Sequence, residues 1–238
     1  MEKFYKIAGL TVKMDSFGMT EKQAEPYRIE TQPSADFTVS TKGLDAEKKL
    51  PDCPEDVREY LVSGVVFYKN LLNFDGLMLH ASAVVVDGRA YLFTAPSGTG
   101  KSTHTELWLK QFGSRAYILN DDKPALRLED GTWYAYGTPW SGKNDISRNE
   151  RIPLAGIAAL ERGENNEIEP FKGKEAVIAI MRQVNRPGAT DCRIKLMQIT
   201  DKLITQVPIW KLRCNMDPQA AVVAYEAMSG KGKEGEKI

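Results

Sequence analysis

A segment in the middle of the chain has the composition of a loop that binds phosphate. It runs from Ala95 to Ser102 and reads APSGTGKS, which fits the pattern GxxxxGK[ST] with alanine in place of the first glycine. Gly98 and Gly100 have no side chains, so the backbone can wrap a phosphate with its N–H groups pointing inward. Lys101 can reach the β- and γ-phosphates of a nucleotide, and the Ser102 hydroxyl can bind Mg²⁺. The residues predicted to bind nucleotide are Ala95, Ser97, Gly98, Thr99, Gly100, Lys101, Ser102 and Thr103.

The segments on either side of this loop provide the context that such a motif requires. Leu79–Val86 is an apolar run typical of a buried strand, Asp87-Gly88 is a hairpin turn, and Ala90–Thr94 is the returning strand. A helix is predicted from about Ser102 to Phe112, and its N-terminus would add partial positive charge to the loop. The alternative, a glycine-rich turn with an incidental lysine, explains this string less well.

Two neighbouring aspartates, Asp121 and Asp122, end the next predicted strand, which begins at Ala116. A carboxylate there can hold Mg²⁺ or accept a proton from an attacking hydroxyl. Adjacent side chains on an extended chain point to opposite sides, so the two cannot do the same job. The other reading is an ordinary acidic turn after a strand.

Two histidines flank the loop in the sequence. His80 is predicted on the strand beside the loop strand, either as a satisfied core histidine or as the partner of one aspartate, whose basicity it would tune. His104 falls on the first turn of the predicted helix, and we expect it at the surface.

The stretch Gly137–Lys143, GTPWSGK, has two readings. Its small and cationic residues could clasp an anion or a substrate, with Trp140, Ser141 and Lys143 as the candidates. It could equally be a proline-containing turn with a packed tryptophan.

The bulk composition narrows the class of protein. The chain has 238 residues, 42% of them hydrophobic, which is enough for one good-sized domain with a small appendage. With 32 basic and 32 acidic residues, no net field would draw it to nucleic acid or to an anionic membrane, and no apolar run approaches the roughly 18 residues of a membrane span. Cys53, Cys192 and Cys214 are far apart, which favours reduced thiols over zinc ligands. The beginning MEKFYKIAGL lacks the apolar core of a signal peptide, so we expect a cytoplasmic protein.

The remaining patterns suggest three parts. Short strands are expected through the first fifty residues, which gives a small β-rich subdomain over 1–52. A core over 53–228 begins with a helix after Asp52 and Pro54 and continues with further strands and helices. The polar, glycine-rich residues 229–238 are predicted to be a disordered tail.

The run LHASAVVVDGRAYLFTAPSGTGKSTHTELW, followed by ILNDDKPAL, resembles the catalytic core of the HPr kinase/phosphorylase family, which is shared with ATP-dependent phosphoenolpyruvate carboxykinase. The match covers roughly residues 77–143. It implies an α/β P-loop fold of the HPr-kinase and carboxykinase type with a mixed sheet. It also implies that Asp121 is the general base, that Asp122 and His80 form a supporting pair, and that Ser102 and Asp121 bind metal.

The sequence departs from this family in two segments. The family's Glu-Ile-Arg-Gly segment supplies a metal-binding glutamate, whereas Gly137–Lys143 here has no acid. The family's Pro-Gly-Arg segment has only Arg186 and Arg213 as candidate substitutes, which we group with the substrate residues. The chain is therefore similar to the divergent HPr-kinase-like proteins found beside peptide-modification genes.

These observations predict an ATP-dependent kinase that uses Mg²⁺ to phosphorylate a hydroxyl, with a serine of a peptide or protein as the acceptor. Two alternatives stay open. One is a kinase for free serine or another metabolite, and the other is a nucleotide-binding regulatory module with little turnover. A homo-oligomer is also left open.

Overall fold

The computed structural model describes residues 3–31, 33–44 and 50–230. From residue 231 onward, the predicted tail lies outside the described residues. In the described part of the chain, no helix combines the length and the apolar character that crossing a membrane would need.

The first forty residues contain a small four-stranded sheet. Its strands are β1 (Lys3–Ile7), β2 (Leu10–Met14), β3 (Arg28–Ile29) and β4 (Phe37–Val39), in the order β3-β1-β2-β4. The alternation expected of a half-buried strand is present, because Tyr5, Ile7, Leu10, Val12 and Met14 all face the core. These side chains belong to the same hydrophobic cluster as the strands of the central sheet. The boundary of a subdomain at residue 52 stays a prediction.

A short helix corrects the expectation that this region contains only strands. Helix α1 (Gly18–Ala24) lies between β2 and β3. It buries Thr20, Gln23 and Ala24, which are spaced at the helical interval, but only one of these is apolar. Because packing rather than apolar periodicity defines this helix, the sequence pattern did not show it.

The next helix, α2 (Glu55–Leu71), begins after Pro54 as predicted. Leu61 and Val65 are exposed, whereas Gly64 and Phe67 face the core. A side chain at position 64 would come within 2.9 Å of the Trp140 ring, so glycine there permits the close approach of that ring.

Nine strands form the central sheet. They are β5 (Gly76–Met78), β6 (Ala81–Val86), β7 (Arg89–Thr94), β8 (Ala116–Asp122), β9 (Ala125–Glu129), β10 (Thr132–Tyr136), β11 (Arg151–Arg162), β12 (Glu167–Pro170) and β13 (Ile209–Cys214). Seven of them are hydrogen-bonded in the order β5-β9-β10-β11-β7-β6-β8. In addition, β13 pairs with β11, and β12 pairs with β13. The short strands β5 and β12 were not expected from the sequence.

The directions of these strands decide where the functional side chains meet. Strand β11 is parallel to both β7 and β13, while β6 is antiparallel to both β7 and β8. The carboxyl ends of β7, β8, β11 and β13 therefore lie at one edge, together with the amino end of β6. The sheet is mixed, as the family resemblance implied, and ligands of open α/β sheets bind at such an edge.

Helices cover both faces of the sheet. The remaining ones are α3 (Lys101–Phe112), α4 (Lys174–Met181), α5 (Thr190–Gln206) and α6 (Gln219–Ser229). Alternate residues of β7 divide between two hydrophobic clusters. Leu92 packs in the cluster that contains α2 and α5, and Phe93 packs in the cluster that contains α3 and α6. Burial on both faces explains why the central strands are continuously apolar in sequence.

Candidate functional site

The glycine-rich loop joins β7 directly to α3. Gly98 and Gly100 have φ angles of 77° and 122°, in the region that favours glycine. A Cβ atom at either position would meet no atom within 4 Å. Backbone conformation rather than lack of space therefore requires the two glycines, and their N–H groups are left unobstructed by side chains.

Lys101, the first residue of α3, folds back over this loop. Its Nζ donates a hydrogen bond of 3.0 Å to the carbonyl oxygen of Ala95. Burial lowers the pKa of Lys101, and the nearby carboxylates of Asp122 and Asp121 oppose that shift. The ammonium group is thus held at the mouth of the loop with two acids beside it.

Arg162 holds the loop from behind. It is the last residue of β11, and its guanidinium donates to the carbonyl oxygens of Gly98 at 2.7 Å and Thr99 at 3.2 Å. In a planar trans peptide the following N–H points away from the carbonyl, so these bonds turn N–H groups away from Arg162. Sequence reasoning missed this residue, because it lies more than sixty positions from the loop.

Asp121, near the end of β8, lies beside the first turn of α3. The Ser102 hydroxyl is 3.1 Å from each carboxylate oxygen of Asp121 and donates to them. Strand β8 places Asp121 opposite Ser82 of β6, and Thr105 of α3 in turn contacts Ser82 at 3.1 Å. The contact between strand and helix therefore fixes the separation of the carboxylate from the loop.

Asp122 turns to the other side, as expected for adjacent residues of a strand. Its Oδ1 lies 3.4 Å from Nε2 of His80, and its Oδ2 accepts a hydrogen bond of 2.7 Å from Lys123 Nζ. Its φ angle of 148° is one that residues other than glycine rarely adopt. The two carboxylates are therefore separated, one towards Ser102 and one towards His80.

His80 lies just before β6 rather than within the predicted strand. Its Nδ1 is 3.3 Å from Oε1 of Gln183, so an oxygen atom lies beside each ring nitrogen. The side chain is 32% exposed, which corrects the reading of an enclosed core histidine. Burial and then the charge of Lys101 lower the pKa of His80, which favours the neutral ring.

His104 is buried, which makes the surface expectation wrong. Only 2% of the residue is exposed, and its Nε2 accepts a hydrogen bond of 3.0 Å from Trp108. Burial lowers the pKa of His104 to about 4, so the ring is neutral at physiological pH. The Nδ1 atom of His104 lies 3.8 Å from Sγ of Cys214, at the end of β13. The burial of His104 depends on which face of α3 packs against the sheet, and the sequence does not show that.

Most of the predicted loop residues, both aspartates and His80 line one cleft of about 570 Å³. Its lining consists of His80, Ser97, Gly98, Gly100, Lys101, Ser102, Thr103, Asp121, Asp122, Ser141, Gly142, Lys143 and Asn144. Ala95 and Thr99 face another cavity behind the loop. Neither Arg186 nor Arg213 contributes to this lining, and Arg213 pairs instead with Glu161 at 3.6 Å.

The segment Gly137–Lys143 contains the packed tryptophan of the second interpretation, and its binding of an anion or a substrate stays a prediction. Trp140 is 1% exposed and packs on Phe67 with ring centroids 4.7 Å apart, so it lies in the core and not on the cleft. Ser141, Gly142 and Lys143 line the cleft wall opposite the loop. The segment is thus a packed turn whose second half faces the cleft.

Two residues that the sequence did not indicate hold this wall in place. The N–H of Gly142 donates a hydrogen bond of 2.9 Å to Tyr60 Oη, and its carbonyl accepts one of 2.9 Å from Gln23 Nε2. Both partners are distant in sequence, so no local pattern could have identified them.

Comparison with known proteins gives a family and a solved structure. A family model described as SynChlorMet cassette protein ScmC matches residues 55–219. This is not the HPr kinase/phosphorylase family that the motifs resemble. No curated protein matches the chain. The solved structure of the Hpr(Ser) kinase/phosphatase from Coxiella burnetii is similar at 12% identity, with a TM-score of 0.40, over 66% of this chain and 98% of that one.

Proposed function

We propose that this chain, which belongs to the SynChlorMet cassette protein ScmC family, is an ATP-dependent kinase that phosphorylates the hydroxyl of a serine in a peptide or protein. The observation that carries this proposal is the position of Asp121. Its carboxylate lies 3.1 Å from the Ser102 hydroxyl, at the mouth of a glycine-rich loop and beside Lys101. A carboxylate, a hydroxyl and an ammonium around one loop are the groups that phosphoryl transfer requires.

The oxygens of Ser102 and Asp121 are suited to Mg²⁺. Adjacent ligands in an octahedral site at about 2.1 Å from the ion are roughly 3 Å apart, which agrees with the 3.1 Å between these oxygens. The described residues contain no group of three or more histidine, cysteine or acidic side chains that could hold a metal. This is consistent with Mg²⁺, which takes few ligands from the protein and fills its shell with water and phosphate. When bound, the ion would neutralise charge that develops on the phosphates.

The side chains of the cleft would divide the work of the transfer. Lys101 and the loop N–H groups would bind the β- and γ-phosphates of ATP. Asp121 would accept the proton of the serine hydroxyl as its oxygen forms a bond to the γ-phosphorus, while the bond from that phosphorus to the bridging oxygen breaks and ADP leaves. His80, which is held neutral, would keep Asp122 in place at 3.4 Å.

The acceptor would reach the γ-phosphate from the rim of the cleft. Lys143 and Asn144 are exposed there, on the wall opposite the glycine-rich loop. An extended peptide segment could lie against this wall with its serine directed at Asp121. Free serine would contact fewer of these residues, which favours a peptide.

A labelling experiment tests the proposal. The chain is incubated with Mg²⁺, γ-³²P-ATP and a degenerate peptide mixture with one fixed serine, and in parallel with the same mixture in which alanine replaces that serine. We expect label only in the serine mixture, no label with Asp121→Asn, and no competition by millimolar free serine. Efficient labelling of free serine would instead establish the metabolite kinase.

One observation favours a second candidate, a nucleotide-binding regulatory module with little turnover. The segment that lines the cleft opposite the loop carries Lys143 and no acid between positions 137 and 143, where the resembled kinases have a metal-binding glutamate. Such a module would bind ATP with Mg²⁺ yet transfer label to no acceptor. Tight binding without labelling in the experiment above would decide for it.

A further inference from the structure

A second cavity of about 460 Å³ lies on the side of the loop away from Asp121. One wall is the face of α3 that carries Thr103 and Leu107, and the opposite wall is formed where β11 and β13 end, at Gly163 and Met216. The order β13-β11-β7-β6-β8 along the sheet therefore places this cavity at one end of the edge and the aspartates at the other. The glycine-rich loop after β7 lies between them.

The cavity and the cleft adjoin each other at the loop. Gly98, Gly100 and Thr103 line both. A single elongated ligand could therefore place a phosphate chain in the cleft, against Lys101, and a bulkier end in the cavity. The first turn of α3, with its exposed Thr103, would lie at the junction of the two ends.

The chemistry of the cavity differs from that of the cleft. Leu107 and Met216 give it an apolar surface, and Met216 is 76% exposed although it is a large apolar residue. Arg162 is the charged side chain of the cavity lining, and its guanidinium is held by the loop carbonyls. His104 and Cys214 are uncharged, because burial lowers the pKa of His104 to about 4 and raises that of Cys214 to about 11. Flat apolar faces can pack on such a surface.

We infer that this cavity binds the nucleoside, a purine base with its ribose, of the nucleotide whose phosphates occupy the cleft, with Met216 covering the base. The inference rests on the proposed nucleotide-dependent function. The volume lies within the range of roughly 300–1,000 Å³ that is usual for small-molecule sites. Arg162 connects the cavity to the glycine-rich loop, since it lines the cavity and donates hydrogen bonds to the loop carbonyls.

Calorimetric titration with two ligands tests this site. The magnesium complexes of ATP and of inorganic tripolyphosphate share the phosphate chain, but only ATP has a nucleoside. We expect Met216→Ala to weaken ATP binding about five- to tenfold, the effect of losing most of an apolar contact, and to leave tripolyphosphate binding unchanged. Met197→Ala is the matched control, because Met197 is also exposed, at 51%, but lies on α5 outside both cavities.

The outcomes distinguish a failure of the nucleoside site from a failure of the proposed function. If Met216→Ala weakens both ligands equally, or neither, the nucleoside site is wrong while the phosphate cleft stands. If the wild-type chain binds neither ligand, the proposed function fails and the nucleoside site fails with it. Selective loss of ATP affinity in Met216→Ala, with Met197→Ala unchanged, supports the inference.

Discussion

Gln23, in the short N-terminal helix α1, donates a hydrogen bond of 2.9 Å to the carbonyl oxygen of Gly142, which lies 119 residues further along the chain. The same residue of the cleft wall donates its N–H to Tyr60 of α2. Tyr27 also reaches this region, because its hydroxyl lies 2.8 Å from Ser147 Oγ. The first forty residues therefore position the wall that faces the glycine-rich loop, although they lie outside the segment that matches the family.

Gln23→Ala should loosen this wall without touching the loop. A lost buried hydrogen bond costs about 1–3 kcal/mol, part of which would appear as disorder of residues 141–144. We expect transfer of the phosphoryl group to slow roughly tenfold, with the dissociation constant of ATP changed less than about twofold. Single-turnover rates and ATP titration measure the two effects. Lys22→Ala, at the exposed neighbouring position, should change neither, and a Gln23→Ala variant with normal turnover would contradict the positioning role.

Lys101→Ala should weaken ATP binding while the fold persists. In the described part of the chain, the one hydrogen bond of its Nζ goes to the Ala95 carbonyl, and water can replace that bond in the cleft. A charge-assisted hydrogen bond is worth about 1.5–3 kcal/mol, so the dissociation constant should rise about 10- to 100-fold. Lys110→Ala, on an exposed position of the same helix, is the control. Thermal-shift titration with ATP and Mg²⁺ measures ATP binding to both variants. An unchanged ligand-induced shift in Lys101→Ala would contradict the prediction that this loop binds phosphate.

The two aspartates should differ in their effects on turnover. Asp121→Asn keeps the shape of the side chain but removes its basicity, so we expect a loss of about 10²–10⁴-fold in rate with little change in ATP affinity. Asp122→Asn and His80→Ala should each cause a smaller loss, because these side chains face each other at 3.4 Å and not the Ser102 hydroxyl.

Their combination tests the pair directly. Breaking either member already removes the contact, so the Asp122→Asn, His80→Ala double variant should lose no more than the worse single variant. Single-turnover rates of the three single variants and the double variant test both the pair and the role of Asp121. Additive losses in free energy would argue against a pair, and near-normal turnover in Asp121→Asn would remove it as the base.

Glu59 should make stability depend on pH. It is a residue of α2 whose carboxylate accepts a hydrogen bond from Thr20 of α1, and burial raises its pKa to about 7. Between pH about 4.5 and 7 the folded chain keeps a proton that the unfolded chain releases, so the free energy of unfolding falls as pH rises through this window and stays low above it. Glu59→Gln keeps a hydrogen-bond acceptor without the charge, and should be more stable than wild type at pH 8 by about 2–3 kcal/mol.

Denaturant unfolding at pH 5 and pH 8 measures this effect. The gain from Glu59→Gln should be small at pH 5, where the wild-type carboxyl is protonated. Glu55→Gln, an exposed acid in the first turn of the same helix, should show little difference between the two pH values. A gain for Glu59→Gln that is equal at both values would contradict the raised pKa.

The sequence alone determined the central part of the site. The strand, the glycine-rich loop and the helix that follows are encoded by neighbouring residues, since the φ angles of Gly98 and Gly100 and the apolar run before them are local properties. The divergence of Asp121 and Asp122 follows from the alternation of a strand, which is also local. The family resemblance, not the spacing, singled out His80.

Only the tertiary structure decided what surrounds this centre. Arg162 reaches the loop because β11 lies parallel to β7, and Gln23 reaches Gly142 because α1 packs on α2. The burial of His104 and Trp140 depends in the same way on which helix and strand faces meet. Local propensity and periodicity act over a few residues, whereas these contacts join positions from about forty to more than a hundred residues apart. The order of strands in the sheet brings such positions together, and no pattern within one segment encodes that order.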